Sequence, residues 1–218
     1  MIDEQNEQTN KRRGSFWREL PILLGVAILV AVLVRAFVLQ TFYIPSPSME
    51  HTLNVLDRVL VNKLVYDFRD PRRGEVVVFK APSDWQSGTE GEDFIKRIIG
   101  VGGDHVVCCD AKKQLMINGH SLHEPYIYRD ADGTQDPPAD EDFDITVPSG
   151  RLWVMGDHRS ASGDSLEHYQ QTQNINEATV PVDSVVGRAF VIFWPLSRAA
   201  WLPVPPEFDT IPAPAPTG

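Results

Sequence analysis

The chain has 218 residues, 42% hydrophobic and 23% charged, which excludes a disordered or collagen-like protein and leaves room for one medium domain with attachments. Thirty acidic residues against 20 basic give a formal net charge of −10. Residues 1–40 carry +1 (Asp3, Glu4, Glu7 and Glu19 against Lys11, Arg12, Arg13, Arg18 and Arg35), so the remainder carries −11 and would repel nucleic acid. Two cysteines cannot build a disulfide scaffold.

The first element is apolar. The 20 residues from Leu20 to Leu39 are interrupted only by Pro21, Gly25 and Arg35. At ~1.5 Å per residue such a helix spans the roughly 30 Å hydrocarbon core of a bilayer. The exit, Val38-Leu39-Gln40-Thr41-Phe42-Tyr43, is too bulky for a small-x-small cleavage site. The segment 20–40 therefore reads as an uncleaved signal anchor. The basic flank Lys11, Arg12, Arg13 and Arg18 predicts a cytoplasmic N-terminal segment over 1–19 and an extracytoplasmic remainder.

Beyond residue 40 the pattern predicts a mainly β domain. Val59–Val61, Glu75–Phe79, Asp93–Ile99, Val106–Val107 and Ala189–Phe193 are short β-branched or aromatic runs, most of them bounded by Gly, Pro or Asp. Val185–Leu196 is apolar but has only 12 residues and contains Arg188, so it reads as a buried strand. Asn118-Gly119 is a hairpin turn signal. Residues 129–142 read as an exposed loop. Pro203, Pro205, Pro206, Pro212, Pro214 and Pro216 make 203–218 a flexible tail by composition.

The chemistry must be found without the familiar signatures: G-x-S-x-G, S-x-x-K, H-E-x-x-H, C-x-x-C and a phosphate loop are all absent. The six histidines, at 51, 105, 120, 123, 158 and 168, form no pattern with a serine and an acid, and exposed surface positions are the ordinary reading for them. What stands out is Ile44-Pro45-Ser46-Pro47-Ser48-Met49-Glu50-His51-Thr52-Leu53, directly after the anchor. A serine nucleophile needs a base, and without a histidine a lysine is the alternative. That lysine must be neutral, so burial must lower its pKa by roughly three units, about 4 kcal/mol. Lys96 sits in Phe94-Ile95-Lys96-Arg97-Ile98-Ile99, where alternation places it with Phe94 and Ile98, and Arg97 with Ile95 and Ile99. Lys63 and Lys80 have weaker apolar flanks. An edge-strand lysine that blocks aggregation is the competing account of Lys96.

Five segments in order now carry a resemblance. They are Arg35-Ala36-Phe37 through Met49; Asp57-Arg58-Val59-Leu60-Val61-Asn62-Lys63; Arg73–Lys80 with Phe94–Gly100; Gly156-Asp157-His158-Arg159 through Ser162-Gly163-Asp164-Ser165; and Gly187-Arg188-Ala189 with Trp194-Pro195. No single segment is specific. Together, behind an anchor, they resemble the type I signal peptidases, bacterial Ser/Lys serine endopeptidases that remove signal peptides. The resemblance implies an antiparallel β catalytic core over 41–103 and 151–202, with a smaller β insertion over 104–150. It implies Ser48 as nucleophile, Lys96 as general base, and Ser46 with the Ser48 N–H as oxyanion donors. Ser162 would orient the lysine, and Arg97, Asp157 and Asp164 would support it. Phe42, Ile44, Leu53, Phe94 and Ile95 would wall the substrate pockets. The implied partners are signal-peptide-bearing preproteins and the lipid bilayer, with no nucleic acid, metal or cofactor.

Some positions depart from the family pattern. Pro47 replaces a glycine before the nucleophile, His51 replaces a proline, and Leu166 stands where many members have arginine, which removes a charge partner near Asp164. Cys108 and Cys109 are adjacent; side chains that alternate across a strand point apart, so two thiols are expected. Two other classes compete. A self-cleaving Ser/Lys repressor needs a DNA-binding helix-turn-helix, for which 1–19 is too short. An inactive membrane-anchored β-domain that binds partners would lack a reactive serine.

Overall fold

The computed structural model describes residues 19–30, 32, 38–85 and 92–214. The expected cytoplasmic segment up to residue 18, the end of the tail at 215–218, and anchor residues 31 and 33–37 lie outside this set. Two units are distinguished, 1–40 and 41–218. In the first, residues 19–30 and 32 are helical and exposed. Among the described residues no helix is long and apolar enough to cross a membrane.

The second unit is mainly antiparallel β. Its larger sheet contains β1 (Leu39–Tyr43), β2 (Arg58–Asn62), β3 (Val76–Lys80), β4 (Asp93–Val101), β9 (Arg151–Met155), β10 (Val180–Pro181), β11 (Val185–Trp194) and β12 (Ala200–Trp201). The strand order is β1-β2-β11-β3-β4-β9-β10, with β12 also on β11. The pairings β2–β11, β11–β3, β3–β4, β4–β9, β9–β10 and β11–β12 are all antiparallel. A smaller antiparallel sheet, in the order β7-β6-β5-β8, joins β5 (His105–Cys108), β6 (Met116–Ile117), β7 (His120–Ser121) and β8 (Phe143–Thr146). The β6–β7 turn is Asn118-Gly119 with φ of 52° and 79°, the left-handed pair that a two-residue hairpin requires. Short helices α1 (Val65–Phe68), α2 (Ser165–Thr172) and α3 (Ile175–Ala178) fill the connections.

Alternation explains the packing around β4. Phe94 and Ile98 face a cluster containing Val77, Phe79, Trp85 and Val154. Ile95 packs on a second cluster built from Ile44, Met49, Leu53, Val59, Val61 and Val76. Ile99 enters a third, with Val106, Trp153 and the interior of the small sheet. Strand β11 is not the fully buried strand that Val185–Leu196 predicts. Its burial is intermittent, and its register shifts against both β2 and β3.

Two further expectations are corrected. The segment from Pro203 is not a free tail as far as residue 214. Pro206–Thr210 forms a 3-10 turn that buries Phe208, and Ile211 is buried just beyond it. Arg73 Nη1 and Asn118 Nδ2 donate to the carbonyls of Ile211 and Pro212. Prolines tolerate this route because its turns need few backbone N–H donors. The cysteines are not two thiols: Cys108 and Cys109 form a disulfide. The expectation assumed a trans peptide; the bond between them is cis, which brings the Cα atoms to 3.0 Å and both sulfurs to one side.

Candidate active site

Ser48 lies at the centre of a one-turn 3-10 helix, Pro47–Met49. Pro47 suits the first helical position, where no N–H is needed. The turn closes through Glu50 N–H to Pro47 C=O at 2.9 Å, and Leu53 N–H donates to Met49 C=O at 2.7 Å. Met49 and Leu53, both fully buried, pin the loop to the core. Ser48 is itself buried, at 5% exposure, and its Oγ lies 3.3 Å from Ser46 Oγ.

The turn rests on the chain that leaves β9. His158 N–H donates to Ser48 C=O at 3.1 Å. Gly156 sits beneath, and a Cβ there would overlap both the Ser48 carbonyl oxygen and Ser162 Oγ. The missing side chain is what lets these two serines converge. Ser162 Oγ donates to Asp164 Oδ2 at 2.7 Å, a bond that uses its hydrogen and not its lone pairs. The buried Asp164 carboxylate also accepts from Gly156 N–H at 2.9 Å and Leu166 N–H at 3.0 Å, so it caps α2. Three donors satisfy it without the arginine that Leu166 displaces.

Lys96 lies in the middle of β4, opposite Val77 of β3, and is 4% exposed. Burial lowers its pKa from 10.5 to about 8, against the opposing pull of the Asp164, Asp157 and Glu167 carboxylates. Its Nζ lies 6.0 Å from the Phe94 ring centre. The Ser48 turn packs against β4. Among the described residues no hydrogen bond joins Lys96 Nζ to Ser48 or Ser162. Such contacts often tighten only when substrate binds. Lys80 is a poor rival: its side chain is 53% exposed and ion-paired with Asp93 at 2.8 Å. Lys63 is half-buried. Ser160 is exposed and donates to Asp136.

Arg97 anchors the other face of β4. Its Nε and Nη2 donate to Asp157 Oδ1 and Oδ2 at 2.8 and 2.6 Å, its Nη1 donates to Gly74 C=O at 2.8 Å, and the guanidinium lies 4.2 Å from the Tyr126 ring centre. Thr52 donates to Asp157 as well, tying the loop after Ser48 to the same carboxylate. Phe42, Ile44, Leu53 and Ile95 come together in one cluster, Ile44 and Leu53 fully buried, Phe42 and Ile95 half-buried. Phe94 is separated from them and packs with Phe79 and Trp85 on the opposite face. Gly156 and His158 belong to a motif segment that assigns neither of them a function, and no sequence signal singles out Tyr126. Among the described residues, no group of three or more His, Cys, Asp or Glu side chains could hold a metal ion.

Comparison with known proteins gives the family. Residues 17–194 match the family described as signal peptidase, peptidase S26. The chain belongs to that family. It is a serine peptidase. A protein named "Probable signal peptidase I" from Mycobacterium leprae (strain TN) is 36% identical over 231 residues, covering 86% of this chain and 79% of its own. Signal peptidase I of Mycobacterium tuberculosis (strain CDC 1551 / Oshkosh) is 34% identical over 230 residues, covering 89% and 78%. Signal peptidase I of Leptolyngbya laminosa is 37% identical over 188 residues, covering 85% and 83%.

Proposed function

We infer that this peptidase is membrane-anchored and cleaves N-terminal signal peptides from exported preproteins after small-x-small sites, with Ser48 as nucleophile and Lys96 as general base. The observation that carries the reading is the burial of Lys96 on the strand under the Ser48 turn, which brings its pKa to about 8. At pH 7 about a tenth of Lys96 is then neutral, against less than a thousandth for an ordinary lysine.

Neutral Lys96 takes the Ser48 proton as Oγ attacks the scissile carbonyl. Ser46 Oγ and the Ser48 N–H stabilise the oxyanion, at roughly 3–4 kcal/mol per donor in comparable sites. The protonated lysine gives its proton to the leaving amine. Lys96 then activates a water that hydrolyses the acyl-enzyme. Half-buried Phe42 and Ile95, over Ile44 and Leu53, leave room for small substrate side chains at alternate positions of an extended strand.

The apolar run 20–39 and its basic flank support an anchor with a cytoplasmic N-terminus and an extracytoplasmic catalytic domain. Trp194, Leu196 and Trp201 are 51%, 74% and 73% exposed, a composition suited to an apolar–aqueous interface.

The test is cleavage of a signal-peptide-bearing precursor by the full chain in detergent. Ser48→Ala and Lys96→Ala are each expected to abolish it, and Leu in place of the residue before the scissile bond to block it. Processing by a folded Lys96→Ala protein overturns the assignment. A wild-type chain that no serine-reactive acylating inhibitor labels is the inactive binding domain instead. Protease shaving of intact spheroplasts tests orientation: protection of residues beyond 41 refutes it.

A further inference from the structure

Pro47 C=O and Ser48 N–H are the two ends of one planar peptide group, so whatever fixes the carbonyl also fixes the direction of the N–H. Two donors face that carbonyl. One is Glu50 N–H, which closes the turn. The other is the imidazole of His158, whose Nδ1 lies 3.2 Å from Pro47 O and 3.4 Å from a Glu50 carboxylate oxygen. Both of these neighbours are acceptors, so Nδ1 carries the hydrogen. The ring cannot swing away freely. It stacks on Tyr128 with centroids 3.8 Å apart and planes 17° from parallel, and its side chain is only 14% exposed. Tyr128 N–H donates to Asp157 C=O at 2.9 Å, so the stacking partner is fixed to the residue before His158.

We propose that His158 is a positioning residue for the oxyanion donor: its Nδ1–H holds and polarises the Pro47–Ser48 peptide so that the Ser48 N–H points at the substrate oxygen. The proposal rests on Ser48 being the nucleophile. A hydrogen bond to the carbonyl end of an amide strengthens the N–H at the other end as a donor. The oxyanion exists only after attack, so the benefit falls on kcat and not on KM.

Two variants separate the donor from the ring. His158→Asn places an amide N–H where Nδ1 was but removes the stack on Tyr128. His158→Phe keeps the stack and removes the donor. Steady-state and single-turnover cleavage of a precursor is measured with the full chain in detergent, alongside Ser48→Ala and a thermal melt of each variant. Expected is a fall in kcat of about tenfold for His158→Phe with KM unchanged, part of the 10²–10³ that a whole oxyanion donor contributes, and a kcat within about threefold of wild type for His158→Asn. A wild-type kcat in His158→Phe, equal losses in both variants, or a change confined to KM overturns the proposal. If Ser48→Ala is inactive, these outcomes remove the positioning role alone. Turnover retained by Ser48→Ala removes the dyad reading and this one with it.

Discussion

Replacing Lys96 by Met is expected to stabilise the protein while destroying its activity. The cost of the native lysine can be worked from its surroundings. Burial brings its pKa from 10.5 to about 8, with the attraction of Asp164, Asp157 and Glu167 already included. At ~1.4 kcal/mol per pKa unit, the folded state disfavours the protonated lysine by about 3 kcal/mol relative to the unfolded chain. A base depressed in the folded state leaves the unfolded chain holding more protons between the two pKa values, so stability rises with pH there. The full cost is present below about pH 8 and is relieved as pH rises towards 10.5. Methionine has a similar length and no charge to desolvate. For a domain of this size about 3 kcal/mol corresponds to a Tm increase of ~6–12 °C. Thermal melts of wild type and Lys96→Met at pH 7 and pH 10.5 make the measurement, with most of the difference at pH 7 and below about 1 kcal/mol at pH 10.5. A variant no more stable than wild type at pH 7, or a gap that persists at pH 10.5, refutes the reasoning.

The same titration sets the pH profile. Precursor cleavage, followed as kcat/KM, is expected to rise about tenfold from pH 7 to pH 9 as Lys96 becomes neutral, and Glu167→Gln, which removes a carboxylate that holds the lysine proton, to move the rise to lower pH. A flat profile contradicts a lysine base. Gly156→Ala forces a methyl group into the Ser48 carbonyl and Ser162 hydroxyl, so activity is expected to fall more than 100-fold, with about 1–3 kcal/mol of destabilisation in urea titrations. Phe208→Ala is expected to cost about 3–5 kcal/mol, because the ring is buried against Gly74 and stacked on Tyr126. A cost near zero means the proline-rich segment is not part of the core.

The β architecture was legible because its strands are short apolar runs with turn residues between them, and Lys96 because a lysine inside such a run is conspicuous. The less legible parts share a cause: their partners are distant in sequence. Phe208 and Ile211 are apolar residues in a proline-rich stretch, and composition averages them away, yet they complete the cluster that contains Trp153. Helix α2 has too few residues for a 3.6-residue period to show, although Asp164 and Glu167 form its capping signal. His158 looks like any surface histidine until the chain leaving β9 brings it to Pro47. Ile44 and Leu53 are pocket walls only through the family resemblance; their depth in the core depends on β2 and β3, which no local pattern reveals.

Strand β4 is hydrogen-bonded on both edges, and Ile95, Ile98 and Ile99 pack against three different clusters. It cannot open without exposing all three. Its amides should therefore be among the slowest in the molecule to exchange with solvent deuterium, at rates set by global unfolding. The candidate base is thus seated in the part of the protein that breathes least, while the serine it would serve rides on a three-residue turn. On warming, loss of activity that precedes loss of the fold will begin at the serine side of the pair.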